Sequence, residues 1–535
     1  MNRVKLTLWI CTLLSALFLS LPWLIPHCGG FALVGFVPLL FAEYVAYRNS
    51  MKRFRLWHYS CFVLWNAFTT WWIWNATAGG AVFAILANAL QMSLLFGLFR
   101  LSRKVFGGIL PYIFLALAWI AWERWYLQSA EISWPWLVLG NAFAQSTGSI
   151  QWYEYTGTLG GSLWVWASNI SIFYLIKSFI EGNLGRVRPL ARYAAFAWLA
   201  AVLILPFGIS ALIYRNCEAE DVRSVEVLIA QPDFDPYHKF ESMSQAEQNE
   251  VLLQLYEDSL AGDGSWQGLL LAPETFTGDV FLNEVQECAS WKTFNAFLQR
   301  YPRANLLFGA STYRYHDTRE APTILCRQYG AGWMESFNSA LLTDASGRTE
   351  VFHKSKLVVG TEQTPFPKIF VPLDNKLGGV MGRCSTQKEV SALHFSSDSL
   401  AFPLGCAVCY ESVYGEYCTD YVRRGAELLA VITNDAWWGD TPGYRQHLSY
   451  SRLRAIELRR DVARCANTGI SAIINKRGDI VDSTPWWEKT VLRGKISLGS
   501  EQTFFVRHGD MTGRAATFSF LLLLLAGAVR LLRRK

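Results

Sequence analysis

"GCAVCYESVY", residues 405–414, passes from small apolar residues into a cysteine, an aromatic and an acid. With the two residues before it, "PLGCAVC" (403–409) has the length and content of a strand buried on both faces. Its last residue, Cys409, is either a thiol that fills space or a nucleophile at a strand end. The ten residues alone do not choose, so the choice depends on what accompanies them.

Four more runs of the same kind surround it: "SVEVLIAQ" (224–231), "GLLLAPE" (268–274), "ANLLFGASTY" (304–313) and "ELLAVITND" (427–435). Residues 339–357 and 471–483 read as hairpins turning at Ser346-Gly347 and Arg477-Gly478, and 244–260 and 444–460 have helical composition. Residues 215–510 are therefore expected to be an α/β unit. Three of its strands end on a polar residue: Glu274 after "LLLAP", Lys354 after "TEVFH" and Cys409 after "GCAV". Strand ends on one edge of a sheet bring sequence-distant groups together. A thiolate that attacks a carbonyl, a carboxylate that moves the proton and an ammonium that holds the oxyanion make a complete acyl-transfer set. Taken singly, each has an ordinary reading: a solvated turn, a surface charge, a packing thiol. Their order, spacing and flanks carry the case. Cys406 and Cys409 form a C-x-x-C, but no second pair or His cluster accompanies it, so no metal is expected, and on a strand their sulfurs point to opposite faces.

The rest of the 535-residue chain, which is 52% hydrophobic and 15% aromatic, explains where that unit sits. A crossing of ~30 Å of hydrocarbon needs about 20 mostly apolar residues. Candidates lie at 6–24, 29–47, 57–76, 78–99, 107–122, 161–180, 193–214 and 515–532, eight in all. Ile25-Pro26-His27 before Cys28 is a poor cleavage site, so the first reads as an uncleaved helix. Basic residues fall on alternate connections: Arg3 and Lys5; Arg48, Lys52, Arg53 and Arg55; Arg100, Arg103 and Lys104; Lys177, Arg186, Arg188 and Arg192; Arg530, Arg533, Arg534 and Lys535. Residues 129–158 have none. The basic side stays cytoplasmic, which puts both termini inside and 215–510 outside, away from ATP. Eight of the 11 cysteines lie in that outer segment, where oxidising conditions allow some to pair. The net charge of +6 is spread in short clusters rather than on one face, which argues against a nucleic-acid partner.

The motifs "PET" with Glu274, "HKSKL" with Lys354 and "CYES" with Cys409 occur in the order of the Glu-Lys-Cys triad of the nitrilase, or carbon-nitrogen hydrolase, superfamily, which this segment resembles. The whole chain is similar to the membrane-bound members of that superfamily, the apolipoprotein N-acyltransferases of bacterial inner membranes. "SWPWLVLGNAF" (133–143), Glu362, "NDAWWGD" (434–440) and "RCANTGISA" (464–472) carry the further likeness. Three positions depart from the family pattern: Lys356 stands where His is common, "VVGTEQTP" replaces "PFGE", and Phe240 sits where Trp is often found.

The resemblance implies an eight-helix transmembrane bundle plus an α/β nitrilase-like domain, a four-layer α-β-β-α sandwich. Its divisions are 1–214 with seven helices, 215–505 as the periplasmic catalytic domain, and 506–535 as the eighth helix with a basic tail. It implies acyl transfer from a phospholipid, through a thioester on Cys409, to the α-amine of a diacylglyceryl-cysteine on an apolipoprotein, by a monomer without cofactor. Glu274 is then the base, and Lys354 with the Tyr410 N–H holds the oxyanion. Glu362 and Glu411 support the lysine and the cysteine turn. Apolar loops must keep water from the thioester. The candidates are Phe240 and Trp437-Trp438, with Trp486-Trp487 and Phe504-Phe505, each of which is equally readable as core or interfacial belt. Trp134 and Trp136 are expected at the outer interface, shaping the acyl-chain entrance. Glu43 and Glu123-Arg124 are assigned structural pairing. The competing reading is a membrane-tethered amidase or nitrile hydrolase using the same triad with water. A transporter reading lacks paired broken helices in repeated halves.

Overall fold

The computed structural model describes residues 2–183, 188–217, 223–236, 239 and 242–533. Phe240, Arg186, Arg534 and Lys535 lie outside them.

Among the described residues, six helices are long and apolar enough to cross a membrane: Arg3–Leu24, Gly29–Arg48, Ala78–Ser102, Tyr153–Ile180, Pro189–Asn216 and Met511–Arg533. Pro189–Asn216 buries only Ser210, and Leu190, Phe196, Ile204 and Leu212 point outward. A helix apolar all round needs lipid, not water, as its solvent. The two other expected spans differ for local reasons. Residues 57–76 divide into Arg55–Thr70, 16 residues, and the single turn Ile73–Ala76. Sixteen residues rise only ~24 Å, and the break falls where Trp72 turns fully into the protein. The other starts later than expected, as Leu110–Gln128, and its last turns carry Glu123 and Arg124. Glu123 accepts from Leu139 N at 2.8 Å and anchors the 135–143 segment, while Arg124 faces Asp510 at 3.7 Å. Glu43 is buried against Arg100 and Arg103.

The α/β unit contains two sheets. The first comprises β1 (Ser224–Gln231), β2 (Gly268–Leu271), β3 (Thr277–Phe281), β4 (Ala304–His316), β5 (Arg327–Tyr329), β6 (Gly332–Asp344) and β7 (Thr349–His353). The second comprises β8 (Leu393–Ser396), β9 (Ala401–Val408), β10 (Leu428–Thr433), β11 (Val462–Ala466), β12 (Ala472–Ile474) and β13 (Ile480–Ser483), while β14 (Thr490–Ser497) returns to the first. The orders are β14-β1-β2-β4-β6-β5, with β3 on β4 and β7 on β6, and β13-β12-β11-β10-β9-β8. β1, β2 and β4 are parallel, as are β9, β10 and β11. Both expected hairpins form, β6–β7 and β12–β13, with Gly347 and Gly478 at positive φ.

Strand alternation assigns the two faces. Val227, Ile229 and Leu271 point between the sheets to meet Leu404, Cys406 and Ile432. Leu228, Ala230 and Leu270 point the other way, onto the helices Gln245–Leu260 and Ala289–Leu298. Ser244 and Glu247 begin the first of these helices with a reciprocal capping box. The helices Gly415–Arg423 and Pro442–Leu458 cover the second sheet, completing four layers. Pro442–Leu458 is enclosed on both sides. Leu448, Ala455 and Leu458 face the sheet, and Tyr450, Leu453 and Ile456 face the membrane helices. Polar links cross this second face, including Trp136 Nε1 to Gln446 Oε1 at 2.7 Å and Trp23 Nε1 to the Tyr450 hydroxyl at 3.1 Å. This buried helix is thereby one of the seats of the α/β unit on the bundle.

Candidate active site

The three polar strand ends converge. Glu274 follows β2, and beneath it lies Gly309 of β4, where a β-carbon would come within 2.5 Å of the Glu274 Cα. Only a bare backbone lets the Glu274 turn settle onto the sheet. Lys354 directly follows β7 and Cys409 directly follows β9. Cys409 has φ 51°, a left-handed conformation that costs a non-glycine residue free energy and must be held by its surroundings.

Lys354 Nζ donates to Glu274 Oε1 at 2.9 Å and to Glu362 Oε1 at 2.8 Å. Asn338 Nδ2 donates to the same two oxygens, at 2.8 and 2.7 Å. Glu362 Oε2 accepts from Val358 N at 2.7 Å, and Glu274 Oε2 from Asn434 N at 3.2 Å. Burial alone would favour a neutral lysine. The charges of Glu274 and Glu362, with Cys409 beside them, outweigh it and hold the ammonium well above the usual lysine range. Burial pushes the Cys409 thiol up, and Glu274 pushes it further against the opposing pull of Lys354. The resting pair is thus a neutral thiol beside a fixed cation. Cys406 sits between the sheets, away from this pocket.

Glu411 joins the cysteine turn to the lysine loop. Its fully buried carboxylate accepts from Val408 N at 2.9 Å, Ser355 N at 2.7 Å and the Tyr417 hydroxyl at 2.7 Å. Burial raises its pKa, and those donors work against the rise. The Tyr410 ring stacks on Trp134 at 5.9 Å, and Trp134 stacks on Trp136 at 5.0 Å. Trp72 packs against Trp438 at 4.7 Å, and Trp438 meets Trp136 edge-on at 5.9 Å. These rings wall the space between the cysteine turn and the bundle. Trp136 is 1% exposed and so lies inside the protein, not at a lipid surface. Trp134, Trp437 and Trp438 are half-buried. Trp486 stacks on Tyr444, Phe505 is buried and Phe504 is exposed.

Sequence reasoning missed two features. Asn338 was invisible because it lies mid-strand on β6. The second is a charged cluster under Cys409. Asp435 accepts from His447 Nδ1 at 2.9 Å, from Thr433 Oγ1 at 2.7 Å and from Arg464. His447 Nε2 lies 3.1 Å from both the Cys409 carbonyl and Ser412 Oγ. Asp435, His447 and Arg464 are all fully buried. An arginine inside the apolar strand "VARCA" was the available signal, since a buried charge needs a partner. Although the Cys409 sulfur, an Asp435 oxygen and a His447 nitrogen come within 4.8 Å of one another, Asp435 is already committed to these donors. The cluster therefore braces the strained turn.

Comparison with known proteins bears on both halves of the chain. Residues 15–171 match the model of the apolipoprotein N-acyltransferase N-terminal domain, and residues 269–504 match that of carbon-nitrogen hydrolase. The apolipoprotein N-acyltransferase of Chlorobaculum tepidum is 28% identical, with 97% of this chain and 96% of that one aligned. That of Geobacter metallireducens is 27% identical over 94% of this chain and 92% of its own. The chain is thus similar to apolipoprotein N-acyltransferases along nearly its whole length. The likeness covers the aromatic wall and the strand ends alike, since Trp134 and Trp136 fall in the first matched region and Glu274, Lys354 and Cys409 in the second.

Proposed function

We infer that this multi-pass membrane protein is an acyltransferase that places a fatty acyl chain on the N-terminal amine of apolipoproteins. The observation that carries the mechanism is the meeting of Cys409, Lys354 and Glu274 at one buried point, with Glu362, Glu411 and Asn338 fixing them. In the proposed course the Cys409 sulfur attacks the acyl ester of a phospholipid while its proton passes to Glu274. Lys354 Nζ and the Tyr410 N–H hold the oxyanion. The C–O bond breaks, the lysophospholipid leaves with the proton from Glu274, and a thioester remains. The amine of a diacylglyceryl-cysteine then attacks, Glu274 takes its proton, and the C–S bond breaks to give an amide and the restored thiol. The acyl group goes from ester to thioester to amide without nucleotide energy.

A lipid substrate suits a feature of the Phe366–Val380 segment. Ile369, Phe370 and Leu373 on the helix Pro367–Lys376 form an exposed apolar patch with flanking Phe366, Leu377 and Val380, just beyond Glu362. Water is a poor solvent for such a patch. We take this arm as the lid that dips into lipid, a role the sequence reading gave to Trp437-Trp438 and Phe240. Arg55–Ala76 and Leu110–Gln128 are read as the two remaining crossings, for eight in all, with the division of the chain at 214/215 and 505/506. The basic connections then face the cytoplasm, and the catalytic domain faces the periplasm across the inner membrane. One chain supplies every group, as suits a monomer.

The test is to incubate the purified protein with phospholipid and a synthetic diacylated lipopeptide and to follow both products by mass spectrometry. The expected result is one added acyl mass on the lipopeptide amine, lost in Cys409→Ser and kept in Cys406→Ser. Release of free fatty acid with no acylated lipopeptide would make the protein a hydrolase instead.

A further inference from the structure

A second cluster lies beyond the acyl-transfer site, further out along β4 and β6, with Glu335 three residues from Asn338 on β6. β4, β6 and β5 are adjacent there; β4 contributes His316, β6 contributes Glu335, and Cys326 directly precedes β5. In β6, Glu335 pairs across with Arg314 of β4, so His316, two residues further on, shares its face and lies diagonal to it. On the opposite side Arg327 of β5 pairs with Met334, which brings Cys326 next to Glu335. His316 Nε2 and Glu335 Oε2 are 3.0 Å apart, and an imidazole nitrogen, the thiol sulfur and a carboxylate oxygen all fall within 4.8 Å of one another. Cys326 and Glu335 are buried, at 4% and 9% exposure, while the His316 side chain keeps 22%. One side of the cluster is therefore open to solvent.

We propose that His316, Cys326 and Glu335 bind a divalent cation of the zinc type, with water in the fourth position. Donors 2.0–2.3 Å from a tetrahedral ion stand about 3.3–3.8 Å apart, so the observed spread needs only small side-chain shifts. A thiolate, an imidazole and a carboxylate match zinc better than the all-oxygen sets that hold magnesium or calcium. On binding, the thiol releases its proton to solvent, and thiolate plus carboxylate balance the ion's two charges. The site has a mechanical consequence. Arg327, next to Cys326, donates to the Gly379 and Met381 carbonyls at 2.8 Å each, which holds the end of the exposed apolar arm. A cation that fixes Cys326 to the sheet fixes Arg327 too, and with it the base of the arm.

The test uses the full-length protein in detergent, stripped with chelator, reloaded with zinc chloride and passed over a desalting column. One zinc per chain is expected, with a Zn–S distance of about 2.3 Å by X-ray absorption. Cys326→Ser and His316→Ala should each weaken binding at least tenfold, whereas Cys409→Ser should retain it. Zinc should also slow tryptic cleavage after the exposed Lys368 and Lys376 at least threefold in the wild type and not in Cys326→Ser. Failure to retain zinc, equal retention by Cys326→Ser, or loss in Cys409→Ser would overturn the site. Bound zinc without change in cleavage would overturn its coupling to the arm.

Discussion

Replacing Lys354 with methionine is expected to lower acyl transfer about a thousandfold, the scale of losing one preorganised oxyanion donor together with the order it imposes. Lys354 is the only cation hydrogen-bonded to Glu274 and Glu362 among the described residues. Without it two carboxylates are left sharing Asn338 in a buried space, and removing one partner from such a set typically costs about 3–5 kcal/mol of stability. The loss should appear both as slower transfer and as a lower Tm. Glu362→Gln keeps an acceptor for the ammonium and should be milder on both counts. The pH dependence has a definite sign. Because the folded lysine is raised, its stabilising interaction is complete at neutral pH and is lost only as pH rises through its high folded pKa, so transfer should not fall from this cause below about pH 10. A wild-type decline near pH 8 traced to Lys354 would contradict the arrangement.

The second large effect concerns Arg464, which touches no reacting atom. Arg464→Met strips the cation from fully buried Asp435, whose carboxyl Arg464 and His447 hold below the usual range in spite of burial. Breaking a buried pair from one side costs about 3–5 kcal/mol, which for a domain of this size lowers Tm by about 10 °C. Asp435→Asn in the same chain should recover part of that, because it removes the stranded charge. The sign with pH follows from the lowered carboxyl: the contribution is present above the ordinary aspartate pKa and is lost as pH falls below about 4. The Asp435→Asn protein should therefore show a flatter acid limb in thermal melts. Equal acid limbs in the two proteins would mean that Asp435 is not paired as described.

How far the sequence could be read depended on whether each signal was local. The strands were legible because burial on both faces demands unbroken apolar runs, and β1 begins and ends where "SVEVLIAQ" does. Glu274, Lys354 and Cys409 were legible because each directly follows such a run. The break within residues 57–76 was not legible because hydropathy cannot register that Trp72 turns into the protein and interrupts the helix. Trp136 was placed at a lipid surface because tryptophan favours interfaces, yet its ring NH finds Gln446 in a helix more than 300 residues away. The arm at 366–380 was overlooked because two prolines disguise its helix, and its exposure is a property of the fold alone. Asn338 and His447 gave no local signal, since their partners come from strands and turns far along the chain.

The central claim is that Cys409 carries the acyl chain between donor and acceptor. The most direct measurement incubates the purified protein with phospholipid and no acceptor, quenches in acid, digests and maps the added acyl mass. The account predicts one fatty acyl group on the peptide containing Cys409, labile to hydroxylamine and discharged when a diacylated lipopeptide is added. Transfer to lipopeptide with no acyl mass on Cys409, or with the mass on another residue, would contradict it.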